Sequence, residues 1–205
     1  MNKRIQKVIK RILDIIVPLI ALLVLAPFFL VVAILIKLTS KGPVFYKWRI
    51  IGQNGRKITS YKFRTMLDGA EQIEQNLRAY GNNEMKNVYF KLREDYRVTS
   101  FGTFLRKFSI DEFPSLYSVL KGDLSLVGPR PVRIHEYEGL NEWQKKRFVI
   151  KPGVTSTWVI SGKNKITDFG EIVKLDLEYV ENWCLLYDLR ILARTVAVIV
   201  LGKNY

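Results

Sequence analysis

Cysteine and histidine are almost missing from this 205-residue chain, which holds one of each, Cys184 and His135. A single thiol allows no internal disulfide and no cysteine-based metal cluster, and it fits a domain facing a reducing compartment. A single imidazole would leave a Ser-His-Asp triad or a multi-histidine metal site resting on one residue. Acidic side chains are also scarce: 19 Asp and Glu face 33 Lys and Arg, a formal net charge of +14. That imbalance calls for an anionic partner, whether nucleic acid, lipid headgroup or phosphorylated substrate. No internal repeat and no low-complexity stretch is visible, and the length suits one cored domain.

Charge of either sign is absent from residues 15–36, an almost wholly aliphatic and aromatic run. As a helix these residues would rise about 33 Å, enough to cross a bilayer. The run is longer than a signal peptide's apolar region and continues straight into Lys37, so it is expected to stay in the mature protein. Its flanks are basic on both sides: Lys3, Arg4, Lys7, Lys10 and Arg11 precede it, while Lys37, Lys41, Lys47 and Arg49 follow. Basic flanks prefer the cytoplasmic face, so both ends ask for the same side. Pro27 lies near the middle, where it removes one backbone donor and presses on the Leu23 carbonyl. A proline-kinked single-pass helix and a helix that turns near Ala26 and Pro27 to leave on the face it entered both fit, and the residues alone leave the two open.

Residues 44–66 read as a β-hairpin, with Asn54-Gly55 supplying the turn between VFYKWRIIG and KITSYKFRTM. Residues 70–80 read as a short polar helix ended by Gly81, and residues 82–94 as an irregular connector. Helical periodicity marks 100–108, 113–121, 132–148 and 172–181. In 183–200, Leu186, Leu189, Ala193, Val196 and Val200 form one stripe, and Arg190 and Arg194 lie together on another. A core helix or a helix in the membrane interface, with Trp183 at the boundary, explains that pattern equally well.

The densest chemistry lies in SIDEFPSLYSVLKGDLSLVGPRP, residues 109–131. Proline is tolerated only in a helix's first turn, so Pro114 moves the expected cap from Ser109 to Asp111 and puts that carboxylate at the positive end of the helix dipole. A plain S-x-x-E capping box formed by Ser109 and Glu112 is the bland alternative. Arg130, flanked by Pro129 and Pro131, is presented at low entropic cost, as a bidentate phosphate clamp requires. Arg106, Lys62 and Arg64 are further candidates for anion contact, each of which could equally be a solvated basic residue.

These blocks resemble the bacterial sugar transferase family, the monotopic polyprenyl-phosphate phosphoglycosyl transferases. The resemblance covers nearly the whole chain: Lys10-Arg11 through Lys37, SKGPVFYKWRIIGQNGRKITSYKFRTM, DYRVTSFGTFLRKFSIDEFPSLYSVLKGDLSLVGPRP, KPGVTSTWVISGKN and YVENWCLLYDLRIL. It implies an α/β fold that is mostly helical. Residues 1–40 would form a re-entrant membrane helix broken at Ala26-Pro27, and residues 41–205 a small cytosolic catalytic domain resting on the membrane through interfacial amphipathic helices. With one membrane segment, the chain resembles the minimal catalytic form.

The resemblance also implies a reaction. The aspartate matching Asp111 would attack the β-phosphate of a UDP-sugar, release UMP, and pass the sugar phosphate to polyprenyl phosphate. Mg2+ would offset the diphosphate charge with Asp111 and Glu112 as the nearest hard oxygen ligands. Arg130 and Arg106 would stabilise charge on the transferred phosphoryl oxygens. Glu112 would orient the acceptor or carry a proton, and Trp158, Ser161 and Lys163 would lie on the substrate side, although Trp158 suits the core as well. Expected partners are the UDP-sugar, the polyprenyl phosphate and membrane lipid, with downstream glycosyltransferases or a second copy of the chain. The expected location is the bacterial cytoplasmic membrane, domain toward the cytosol.

Departures from the family pattern fall at Ser156, Val159 and Lys163, where a glycine, a glutamine and an arginine are common. Ser115 and Ser118 likewise replace a glutamine and an asparagine. These positions are expected to lie outside the nucleophile and clamp. They motivate a rival reading, a non-catalytic monotopic scaffold binding anionic lipid. A nucleic-acid binder has only the charge in its favour, since no reading motif is present and the apolar run would be unexplained.

Overall fold

The computed structural model describes residues 2–79, 92, 95–162, 166 and 168–201. The first element, α1 (Lys3–Thr39), is a 37-residue helix capped by the Asn2 side chain, which accepts from the Arg4 N–H at 2.8 Å. It runs unbroken through Pro18 and Pro27, so Ala26 and Pro27 sit within one continuous helix rather than at an interruption. A proline removes a single donor, and the remaining ladder is enough to carry the helix past it.

Both halves of α1 are held by the same globular body. Near the start, Gln6 Oε1 accepts from the Leu185 N–H at 2.8 Å, and Arg11 donates to the carbonyls of Val119 and Leu120 at 3.0 and 2.9 Å. Buried Asp14 accepts from the Leu126 N–H at 2.8 Å. Near the end, Val32 and Ile36 are buried in a core with Phe63, Leu105 and Ile110. Between these anchors, Ile16, Leu19, Ile20, Leu23 and Val24 are exposed apolar side chains.

The hairpin forms as expected: β1 (Phe45–Ile51) and β2 (Lys57–Phe63) pair antiparallel from Phe45 opposite Phe63 to Ile51 opposite Lys57. Asn54 and Gly55 both take positive φ, 55° and 77°, inside a longer connection than a two-residue turn. Next come α2 (Ala70–Ala79) and α3 (Ser100–Lys107), the latter capped by Thr99. The expected stop at Gly81 and the connector over 82–94 lie, apart from residue 92, outside the described residues.

A 3-10 turn over Ile110–Ser115 then runs into α4 (Leu116–Lys121). Short strands β3 (Ser125–Val127) and β5 (Gly153–Thr155) pair in parallel, while β4 (Val132–Arg133) joins the free edge of β1. The helix expected over 132–148 is instead β4, α5 (Ile134–Glu138), α6 (Glu142–Lys145) and a 3-10 turn (Lys146–Val149). The break falls at Gly139, with Asn141 capping the next turn through its side chain.

The chain closes with α7 (Thr157–Ile160), α8 (Phe169–Glu181) and α9 (Leu185–Val200). α8 begins three residues ahead of the apolar pattern because Asp168 caps it, accepting from the Gly170 N–H at 2.6 Å. On α9, Ile191 and Asp188 face inward while Leu186, Leu189, Ala193, Val196 and Val200 are exposed together with Arg190 and Arg194. The stripe is therefore not core, and the interfacial alternative accounts for it.

Candidate active site

The site begins where α3 ends. Ser109 takes a left-handed conformation, φ 51°, and reverses the chain into the 3-10 turn that carries Asp111 and Glu112. Neither capping arrangement read from the sequence is present. Ser109 makes no side-chain cap bond, and Asp111 lies inside the turn rather than at an α-helical N-cap. Tighter 3-10 winding accommodates Pro114 without an early α-helix start. Two serines fix the turn against β2: Ser115 Oγ donates to the Tyr61 carbonyl at 2.9 Å, and Ser118 Oγ to Ser60 Oγ at 3.0 Å.

That contact brings Lys62 of β2 onto Glu112. Lys62 Nζ is 2.8 Å from Glu112 Oε1 and 3.8 Å from the centre of the Trp48 ring. Lys62, Glu112 and Trp48 line a pocket together with Arg130, Trp158 and Gly153. Asp111 is buried in the same turn, adjacent to Glu112, and is not among the residues lining the pocket.

Arg130 reaches the pocket from the loop after β3. Its guanidinium lies 3.9 Å over the Trp158 ring, a stacking contact that fixes the plane of the fork. Trp158 is 7% exposed and joins the core of Val132, Phe148, Phe169 and Ile172, so it serves as both core and pocket wall. The loop itself is held closely: the Gly128 N–H donates to the Thr155 carbonyl at 3.1 Å and the Gly153 N–H to the Pro129 carbonyl at 2.9 Å. The Arg130 N–H donates to Asp176 Oδ1 at 3.2 Å, and Arg147 donates to the Arg130 carbonyl. Burial pushes the Asp176 carboxyl up to about 6, against the opposing pull of Arg147 and Arg130.

The other expected residues are placed elsewhere. Arg106 donates through Nε to Thr65 Oγ1 at 3.0 Å, and buried Arg64 donates to the Ser40 carbonyl and hydroxyl at 2.8 Å, securing the end of α1. Neither lines the pocket, nor does exposed Ser161. Lys163 lies outside the described residues. The departures are nearer than expected: Ser115, Ser156 and Val159 all line the pocket, because β5 and α7 form its wall beside Arg130. Among the described residues, the pocket's chemistry is thus two indoles, two cations, two hydroxyls and a carboxylate.

Sequence reading missed Trp48, Arg147 and Asp176. Asp176 carried a signal, as an acid set among the apolar residues of α8; Arg147, inside the basic run WQKKRF, carried none. For Mg2+, the donor set is adjacent Asp111 and Glu112, hard oxygen ligands in the number that cation takes from a protein when substrate phosphates complete its shell. Among the described residues no group of three or more His, Cys, Asp or Glu stands together, so an ion here would rest on these two carboxylates and on substrate phosphates.

An apolar helix anchored to a small α/β body, with Glu112 and a clamped arginine lining one pocket and Asp111 buried beside it, defines a membrane-associated protein suited to phosphoryl chemistry. The chain belongs to the bacterial sugar transferase family, whose sequence profile matches residues 5–202. It is 48% identical over 163 residues to the galactosyl transferase CpsE of Streptococcus agalactiae, a match over 80% of this chain and 36% of that protein. It is 38% identical over 200 residues to the exopolysaccharide production protein ExoY of Sinorhizobium fredii, covering 95% of this chain and 87% of ExoY. The undecaprenyl-phosphate galactose phosphotransferase of Salmonella typhimurium is 37% identical over 202 residues, 96% of this chain and 41% of that enzyme. The chain therefore spans well under half of two of these relatives and most of the third.

Proposed function

We propose that this protein transfers a sugar 1-phosphate from a UDP-sugar to polyprenyl phosphate, the first membrane step in building a glycan. The observation that carries the reading is the convergence of Lys62, Glu112 and Arg130 at one pocket beside Asp111, within a chain of this family. The Asp111 carboxylate attacks the β-phosphorus of the donor. The bond to the bridging oxygen breaks, and UMP leaves with that oxygen. The sugar phosphate is then an acyl phosphate on Asp111. A phosphate oxygen of the polyprenyl carrier attacks the same phosphorus, frees the carboxylate and forms the lipid diphosphate sugar. Two steps suit two substrates that arrive from different phases.

Arg130 serves the transferred phosphoryl oxygens as a preorganised donor, held by its stacking on Trp158 and by its bonded backbone. Lys62 holds Glu112 in the pocket until substrate phosphate competes for the ammonium. Mg2+ bound by Asp111 and Glu112 would supply charge neutralisation for the diphosphate. The membrane arrangement supports the lipid acceptor. A helix crossing once would carry Lys10 and Arg11 to the far side of a hydrocarbon layer about 30 Å thick, yet both are bonded to the same body as Val32 and Ile36. The reading is re-entrant by bending within the continuous helix rather than at a break, with the catalytic body on the cytosolic face of the bacterial inner membrane.

Purified protein incubated with UDP-sugars, Mg2+ and undecaprenyl phosphate should release UMP. With donor alone it should gain the mass of a phosphosugar on Asp111, and Asp111→Asn should not. An adduct on Glu112 would reassign the nucleophile, and absence of UMP with every common UDP-sugar would leave the scaffold reading standing.

A further inference from the structure

A second hollow shares no lining residue with the catalytic pocket. It is bounded by the β1–β2 connection, Arg56, Gly122, Asp123 and Lys151. Gly122 takes φ +95°, and a Cβ there would stand 3.2 Å from Arg11 Nη2 and 3.6 Å from Lys151 Nζ. The missing side chain leaves open the place that two cations face, and Arg56 lines the same hollow. The carboxylates nearby are committed. Asp123 is paired with Lys121 at 2.9 Å, and Asp14 accepts from the Leu126 N–H and from Ser125 Oγ at 2.8 and 3.2 Å. Lys10 is paired with Asp188 at 2.6 Å.

Among the described residues no carboxylate forms an ion pair with Arg11, Arg56 or Lys151. Arg11 is fixed by two carbonyls, which orient the guanidinium without neutralising it. Burial, and then Arg11, push the Lys151 ammonium below its ordinary value against the opposing pull of Asp14 and Asp123. Depth indicates where the anion comes from. Arg11 precedes Ile15, the first residue of the uncharged run, by one helical turn, or about 6 Å. The headgroup layer on each side of the hydrocarbon is about that thick.

We infer that this hollow binds the phosphate group of an anionic membrane lipid, with Arg11, Arg56 and Lys151 as its ligands and the space above Gly122 as its seat. The inference rests on the membrane association proposed above. Its consequence is orientation: a lipid phosphate seated beside the C-terminus of α4 fixes the tilt of the catalytic body on the bilayer.

The test uses the full chain in nanodiscs of phosphatidylcholine alone or mixed with phosphatidylglycerol, reading the acylation rate of Lys151 against that of exposed Lys174 by mass spectrometry. Phosphatidylglycerol should slow Lys151 about tenfold, the effect of one unit of pKa on the free amine, and leave Lys174 unchanged. Arg56→Gln should remove most of that protection while UMP release in phosphatidylcholine nanodiscs stays at the wild-type rate. Equal acylation of Lys151 in both lipids, or full protection surviving Arg56→Gln, overturns the inference. Equal protection by inorganic phosphate in phosphatidylcholine nanodiscs makes this a free-phosphate site and overturns the lipid assignment. Failure of the protein to embed in nanodiscs at all would count against the membrane reading instead.

Discussion

Arg147 and Asp176 form an ion pair, 2.6 Å from Nη2 to Oδ2, in which neither side chain reaches solvent, and the pair grips both backbone polar groups of Arg130. Two buried charges are expensive to desolvate, and an apolar pair of similar size would often be as stable. What this pair adds is position. Prolines on either side limit Arg130, the Asp176 carboxylate takes its N–H and the Arg147 guanidinium takes its carbonyl, so the clamp is fixed from the backbone outward.

Removing one partner strands the other charge. Asp176→Leu or Arg147→Met alone should cost about 3–5 kcal/mol, visible as a lowered melting midpoint. The double variant Arg147→Met with Asp176→Leu should recover most of that stability while UMP release stays low, because the Arg130 N–H and carbonyl have then lost the two side chains that grip them. Full UMP release from the double variant would show that the ion pair is only structural.

This network shows what the sequence could and could not disclose. Hydrophobic period, Asn54-Gly55 and the charge-free run marked α1, the hairpin, α3, α8 and α9, since those signals are local. Glu112 and Arg130, which line the pocket, and Asp111 beside them stand out in the sequence because proline and charge occur together in one segment. The partners of Arg130 were not, since Arg147 and Asp176 lie 17 and 46 residues away and meet it only through the tertiary fold. The same holds for Lys62, whose ion pair with Glu112 spans 50 residues, and for Ser156 and Val159, which β5 and α7 carry to the pocket.

Asp176 also sets a pH dependence. Its carboxyl is raised to about 6 in the fold, above the ordinary value of about 3.9. The folded state therefore holds the proton more tightly, and the stability this group contributes is full below about pH 4 and lost as pH rises through about 6. Clamping needs the ionised form, so activity runs the other way. UMP release should fall as pH drops through about 6 without loss of the fold attributable to this group. Asp176→Asn should flatten that limb, and a limb unchanged in this variant would assign it to another residue.

Lys62→Met tests the pocket cation. The Lys62–Glu112 pair is partly solvated, with side-chain exposures of 18% and 28%, so its loss should change stability by no more than about 1 kcal/mol. Loss of a charged contact to substrate phosphate should cost about 1.5–3 kcal/mol, or about tenfold to hundredfold in kcat/KM for the UDP-sugar. Steady-state kinetics beside a melting curve separate the two effects. A large drop in the midpoint with unchanged kcat/KM would make Lys62 a structural residue.

Gly102 gives a prediction whose sign is in question. It lies inside α3, where alanine ordinarily stabilises a helix by about 1 kcal/mol relative to glycine. A Cβ at this position, however, would overlap the Thr65 backbone carbonyl, which also accepts from the Thr99 N–H at 3.0 Å. Backbone cannot yield as a side chain can, so Gly102→Ala must push α3 off the strand end that also receives Arg106 through Thr65 Oγ1. The expected result is a loss of about 1–3 kcal/mol, as for other overpacked sites. Because α3 leads through Ser109 into the turn holding Asp111 and Glu112, UMP release should fall with it. Gly139→Ala is the matched comparison, since the nearest atom to its Cβ is the Glu136 carbonyl at 3.7 Å and the residue is exposed. That variant should keep its midpoint and activity, and a raised midpoint in Gly102→Ala would refute the close packing of α3 on Thr65.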